Sequence, residues 1–431
     1  MPDTAITQIR ARRIWDSRGR PTVEVDVTLA DGSTGRGVAP AGASRGSREA
    51  LDLRDGGERL GGFGVVKALR AIETEIAPVL IGRDGTDQAG IDAAMIALDG
   101  TTLKSRLGGN ALVAVSLAVL HAAAASAGKP LWQYLAGDGP VSLPMPEIQI
   151  FGGGAHAGRR IDIQDLMVMP IGAKSVAEAL EMTAEIYLSA GRIMQSRGLI
   201  AGVADEGGYW PAFSTNEEAL DTLVAAIEGA GFDPATEAAI SLDIAASEFG
   251  SNGHYRLGLE KRELDSDAMC DLLLDWCARY PIASIEDPLA EDDRAGLIRF
   301  TAAAGGKVQV IGDDYLVTSA EKVERAAADN AVNAVLLKVN QAGTITETRA
   351  ALQAAQRHGF GTVVSARSGE TEDVAIAHLA VGWNAQQFKV GSFARSERTA
   401  KWNELLRIEE ALGANAHFAG TAGIRGIGKA S

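Results

Sequence analysis

The chain has 431 residues, 46% of them hydrophobic and 23% charged, with a formal net charge of −15. Such proportions fit a soluble globular protein, the length is generous for one compact core, and the acidic balance argues against general nucleic-acid binding or a membrane-surface role. The two cysteines, Cys270 and Cys277, cannot make a disulfide framework and fall in a segment of helical period, so they read as half-buried core thiols of a protein in the reducing cytoplasm.

The first residues, Met1-Pro2-Asp3-Thr4-Ala5-Ile6, lack the basic and apolar regions of a signal peptide. Residues 5–40 predict an antiparallel meander: Val23, Val25, Val27 and Leu29 alternate with Glu24, Asp26 and Thr28, and Asp31-Gly32 supplies a hairpin turn. The small residues from Ala39 to Ser47 predict a mobile loop. Helical periods follow over 64–80, 87–98 and 109–127. The most apolar stretch, Ala111 to Gly128, is alanine-rich, contains His121 and is short for a membrane span, so it reads as a buried core helix. Strands and then helices, without alternation, make residues 1–136 a separate α+β domain.

Gly137 to Pro146 marks the boundary to a second domain, residues 137–431. There, Leu166–Met169 predicts a strand and 175–196 a helix, and strand–helix alternation continues to about residue 410. Six short apolar runs in this half end in charged residues: Asp243, Glu286, Asp313, Lys338, Arg367 and Lys389. Strand–helix units of this length are those of a (β/α) barrel, whose strand C-termini converge on one mouth where catalytic groups sit. The helix predicted from Ser396 to Glu410 is expected to turn its charges to solvent in i,i+4 pairs.

Three strand-end carboxylates with few histidines nearby suit an oxygen-liganded cation, Mg²⁺ by default and Mn²⁺ as a tolerable substitute. The alternative is that they cap helices or pair with lysines. Lys338, held at the end of a buried strand near such cations, can act as a general base; Lys389 can share that role or hold a substrate carboxylate. Glu206, in Asp205-Glu206-Gly207-Gly208, sits on a sharp turn that lets backbone approach a ligand. His156 lies in a glycine-rich run without the Gly-Lys-Ser/Thr of a phosphate-binding P-loop.

Asp16-Ser17-Arg18-Gly19, Gly42-Ala43-Ser44, Gly153-Gly154-Ala155-His156-Ala157, Asp205-Glu206-Gly207-Gly208, Ser284-Ile285-Glu286-Asp287-Pro288, Lys338-Val339-Asn340-Gln341 and Arg367-Ser368-Gly369-Glu370-Thr371 together resemble the enolase family in order and spacing, over nearly the whole chain. The resemblance implies an α/β fold, a C-terminal (β/α)8-type barrel of the enolase kind with an N-terminal α+β capping domain. It also implies dehydration of 2-phosphoglycerate to phosphoenolpyruvate with two Mg²⁺, in a homodimer or higher homo-oligomer. By this match Asp243, Glu286 and Asp313 hold the first metal, and Ser44 helps bind the second. Lys338 takes the α-proton and Glu206 assists loss of the hydroxyl. Lys389 binds the substrate carboxylate, Arg367 and Ser368 grip the phosphate with His156 nearby, and Gln164 lines the site.

Several residues depart from the family pattern. Ala366 replaces a histidine before Arg367. Asp165 shortens a catalytic carboxylate by one methylene. Arg45 replaces a threonine and brings a bidentate anion binder. Gly152 and Arg159-Arg160 depart too. Two readings stay open: an enolase acting on 2-phosphoglycerate, or a paralogue acting on a related phosphorylated or phosphonate hydroxy acid. A mainly non-catalytic binding role is the third.

Overall fold

The computed structural model describes residues 3–426; Met1, Pro2 and residues 427–431 lie outside the described residues. The N-terminal domain opens with a three-stranded antiparallel sheet, β1 (Ile6–Trp15), β2 (Pro21–Leu29) and β3 (Thr34–Val38), in that spatial order. On the central strand Val23, Val25, Val27 and Leu29 are buried. The helical run predicted over 64–80 forms as α1 (Val66–Ala71), a π-helical turn Ile72–Ile76 and α2 (Ala77–Leu80). Pro78 accounts for the shift: its ring nitrogen has no hydrogen to donate one turn back, so the ladder changes register around it. Then come α3 (Gln88–Asp99), α4 (Gly109–Ser126) and α5 (Leu131–Ala136). The apolar α4 is 83% buried; it packs on β2 and β3.

The C-terminal part runs β4 (Met145–Gly152), β5 (Asp165–Met169), α6 (Val176–Ser196), β6 (Ile200–Val203), β7 (Tyr209–Pro211), α7 (Asn216–Gly229) and β8 (Ala239–Asp243). A small side sheet follows, β9 (Gly250–Ser251), β10 (His254–Leu257) and β11 (Arg262–Asp265), then α8 (Ser266–Arg279) and β12 (Ile282–Glu286). The remainder is α9 (Arg294–Ala304), β13 (Gln309–Gly312), α10 (Ala320–Asp329), β14 (Ala334–Leu337), α11 (Val339–Ala342), α12 (Ile345–Arg357), β15 (Gly361–Ser365), α13 (Ala375–Gly382), β16 (Gln387–Gly391) and α14 (Ser396–Leu412). Strands β4, β5, β8 and β12–β16 close into a barrel through pairing of β16 with β4.

The alternation in sequence conceals one reversal. β5 is antiparallel to both β4 and β8, while the other barrel pairings are parallel. No crossover helix separates β4 from β5, so the chain returns at the same end of the barrel, as an antiparallel pair requires. Asp165 therefore starts its strand and still stands at the mouth, in register with Asp243. Register also pairs Asp243 with Glu286, and Ser365 with Lys389.

The solvated charged helix expected near the C-terminus exposes Arg407 and Glu410 but needs correction at two positions. In α14, Arg398 and Lys401 are 0% exposed. Arg398 donates to the carbonyls of Arg367 (2.7 Å), Val390 (2.9 Å) and Ser368 (2.6 Å), and Lys401 donates to that of Thr371 at 2.9 Å. Backbone acceptors at a barrel end offset the desolvation of these cations, a balance invisible to periodicity. Both thiols are free and held in apolar surroundings; burial pushes Cys270 up to about 11 and Cys277 up to about 12.

Candidate active site

Each strand-end charge reaches the mouth because the residues before it are buried on both faces of a barrel strand, which leaves only the tip free to meet other tips. Lys389, within β16, places its ammonium 2.7 Å from Asp243 Oδ2, 2.9 Å from Glu286 Oε2 and 3.3 Å from Asp165 Oδ2. Burial disfavours that charge, but Asp243 and Glu286 outweigh it and hold Lys389 well above the usual lysine range. Glu286 moves upward: burial and the neighbouring Asp243 both oppose its ionisation. Its Oε1 is buried with no hydrogen-bond partner among the described residues.

Lys338 follows β14 and its Nζ is hydrogen-bonded to Asp313 Oδ2. Burial favours the neutral amine, yet Asp313 outweighs it and raises Lys338. The backbone N–H of Lys338 donates to Thr318 Oγ1 at 3.0 Å, and that hydroxyl donates to Gln341 Oε1 at 2.6 Å. Gln341 Nε2 closes the circuit by donating to Asp313 Oδ1 at 2.7 Å. Asp287 holds the same corner from behind, accepting the backbone N–H groups of Asp313 (2.9 Å) and Asp314 (2.7 Å). Burial and the facing Asp313 push Asp287 up to about 8.

The end of the pocket at Arg367 is built jointly by the two domains. The loop expected to be mobile is folded onto the barrel: Ala41 and Gly369 exchange both backbone hydrogen bonds at 2.9 Å. The Asp16–Gly19 turn braces that contact, with Arg18 Nη2 donating to the Ala41 carbonyl at 2.8 Å. Arg367 lies beneath, donating from Nη2 to the Ser44 carbonyl and from Nη1 to Glu49 Oε2, each at 3.0 Å, and from Nη1 to Asn340 Oδ1 at 2.9 Å. Gly42 is required by this approach: a Cβ there would lie 1.9 Å from Arg367 Nη2.

Glu206 stands on the turn between β6 and β7. Gly207 takes φ +95°, and a Cβ on it would meet the Ala394 carbonyl at 2.2 Å, so the tightness of this turn depends on glycine. His156, on a 3₁₀ turn (Gly154–Ala157), places Nδ1 3.2 Å from Asp165 Oδ1 and Nε2 3.7 Å from Glu206 Oε1. Burial works against its charge, but Glu206 and Asp165 prevail and raise it to about 9. Asp165 moves downward because His156 and Lys389 outweigh burial, and Gln149 donates to its Oδ1.

One pocket gathers Ser44, His156, Gln164, Asp165, Glu206, Asp243, Lys338, Arg367, Ser368 and Lys389, with Ala366 in its wall. Glu286 and Asp313 adjoin it through Lys389 and Lys338. Arg45, expected at the substrate, does not line it. Its Nη2 donates to the Ala50 carbonyl at 3.1 Å and its Nε lies 3.8 Å from Glu49, because Glu49 draws the guanidinium back along its own loop. Sequence reading missed Glu49, Gln341, Asp287 and Arg398. Gln341 and Asp287 lie in quoted motifs beside charged strand ends, and Arg398 closes Ala394-Arg395-Ser396-Glu397-Arg398, a further run that resembles the family, whereas Glu49 carries no local signal.

The residues fit a hard divalent cation. Asp243, Glu286 and Asp313 offer oxygen donors, Glu286 has an orphaned buried oxygen, and a lysine ammonium occupies the space between Asp243 and Glu286. Two other acidic groups converge more closely, His156–Asp165–Glu206 and Asp287–Asp313–Asp314. Asp287 is already committed to two backbone donors, and the first group holds a charged imidazole, so the strand-end set is the better cation site.

This fold and site define a capped α/β-barrel enzyme with lysine and carboxylate groups gathered in one pocket. Residues 6–135 match the family model described as enolase, N-terminal domain, and residues 140–426 match enolase, C-terminal TIM barrel domain. The chain is 50% identical over 416 residues to "Enolase 1" of Desulfitobacterium hafniense (strain Y51), covering 96% of this chain and 95% of that protein. The chain belongs to the enolase family and is an enzyme of the hydro-lyase class.

Proposed function

We propose that this protein dehydrates 2-phosphoglycerate to phosphoenolpyruvate, using Mg²⁺ held by Asp243, Glu286 and Asp313, with a second ion near Ser44. The observation that carries this reading is the convergence of Lys338, Glu206, Lys389 and Arg367 on one pocket. Lys338 Nζ accepts the α-proton. A cation bound at the three carboxylates would neutralise Asp313 and stabilise the charge that develops on the substrate carboxylate. Glu206 delivers a proton to the departing hydroxyl, and His156 beside it keeps a positive charge at that end. Lys389 orients the carboxylate, and Arg367 with Ser368 holds the phosphate. The folded 39–47 loop covers the mouth and limits water.

Ala366 favours one second reading. It lines the wall next to Arg367, where a methyl group leaves more room and one donor fewer than a histidine, so a related phosphorylated or phosphonate hydroxy acid is the competing substrate. Incubation with 2-phosphoglycerate and Mg²⁺, followed by absorbance of the conjugated product, separates the two. Turnover supports the first. Exchange of the α-proton into D₂O without product supports the second.

A cytoplasmic homodimer or higher homo-oligomer is proposed as well. Trp15 on β1 and Leu188 on α6 are each 53% exposed, and Ile200 and Val203 on β6 are exposed as well; large exposed apolar side chains are material for a self-contact.

A further inference from the structure

Apart from the active-site pocket, a cavity of about 530 Å³ opens where the N-terminal domain meets α10. Arg48 and Lys104 reach it from the N-terminal domain, and Lys322 and Arg325 from α10; Glu321 and Glu347 are the carboxylates in its lining. Four cationic side chains against two carboxylates make a positive patch on a chain whose net charge is −15.

The pairing inside the cavity is incomplete. Lys104 binds Glu347 at 2.9 Å and Arg325 binds Glu321 at 2.9 Å. Lys322 Nζ reaches only the Tyr315 carbonyl, at 3.4 Å. Among the described residues no carboxylate pairs with Arg48 or Lys322, although Glu291 and Asp314 contribute from further off. Burial and then Arg48 push Lys322 down to about 8, the behaviour of two cations held together without a counter-ion. The first turn of α10 adds its partial positive charge to the same space. Val317 and Thr318, in the wall, hold left-handed φ of 43° and 53°, a conformation that disfavours β-branched residues.

We propose that this cavity binds a small phosphorylated anion between Arg48 and Lys322, at a site distinct from the catalytic pocket. Arginine and lysine suit a phosphoryl group by bidentate hydrogen bonding and by point charge, and the volume suits a small organic phosphate. The site also touches the catalytic framework. Thr318 and Gln341, both in its lining, are the residues that hydrogen-bond the Lys338 backbone and Asp313.

The test is hydrogen–deuterium exchange on the full chain with Mg²⁺, comparing inorganic phosphate with chloride at matched ionic strength. Phosphate is expected to slow exchange saturably in peptides covering residues 45–51 and 317–325. In the Arg48→Gln, Lys322→Gln double variant this protection should need at least about tenfold more phosphate, the scale of losing charge-assisted hydrogen bonds, while turnover in chloride matches wild type. Protection confined to the catalytic residues around Ser44 and Arg367, equal protection in the variant, or none at all would overturn the proposal.

Discussion

Arg367 at the barrel mouth and Glu49 in the N-terminal domain form a buried two-pronged ion pair, Nη1 to Oε2 at 3.0 Å and Nη2 to Oε1 at 3.3 Å. Glu49 also accepts from Gln341 Nε2 at 3.2 Å and from the Gly46 N–H at 3.0 Å. One carboxylate thus fixes Arg367, the loop over the mouth and the framework behind Lys338. Glu49→Ala would leave Arg367 buried without its paired carboxylate, with only Asp313 and Asp314 further off, at a cost of roughly 3–5 kcal/mol. Calorimetric unfolding measures it; a loss under about 1 kcal/mol, the value of an exposed pair, would show that the pair does not join the domains.

Lys338→Ala removes the proposed base. Exchange of the substrate α-proton into D₂O should fall by about 10²- to 10⁴-fold, with circular dichroism unchanged. Exchange at the wild-type rate would remove Lys338 from that role.

His156 gives a pH dependence with a definite sign. Its folded value, about 9, lies above the unfolded value of about 6.5. Its contribution to stability is therefore complete below about pH 6.5 and lost as pH rises through about 9. The stability difference between wild type and His156→Gln should shrink over that interval. A difference that widened with pH would contradict the charged imidazole.

Metal binding can be read without turnover. Mg²⁺ added after chelation should raise the unfolding temperature, by linkage about 2.7 kcal/mol at 100 times the dissociation constant. Asp313→Asn should abolish most of that shift; an undiminished shift would place the cation elsewhere.

Ala366→His should raise kcat/KM for 2-phosphoglycerate if a missing donor beside Arg367 limits it. An unchanged or lower value would favour a substrate that needs the space.

The charged tips of the barrel strands were legible because a strand buried on both faces has a continuous apolar run, and a charge ending such a run stands out. Asp243, Glu286, Asp313, Lys338 and Arg367 carry that local mark, whereas Lys389 follows only Gln387-Phe388 and lies inside β16. The family resemblance added roles that periodicity could not supply. Arg45 shows the limit: its residue type suits an anion, but its direction depends on Glu49, four residues away and buried for reasons of its own.

By itself the sequence determined the two-part organisation, the barrel repeat and the inventory of charges, because burial patterns and turn chemistry act over a few residues. Only the tertiary structure decided which charges meet. The reversal of β5 brings Asp165 to the mouth, Lys389 lies between Asp243 and Glu286, and Glu49 takes hold of Arg367. These pairings join residues far apart in the chain, and their energies depend on distance and desolvation, which exist only once the barrel has closed.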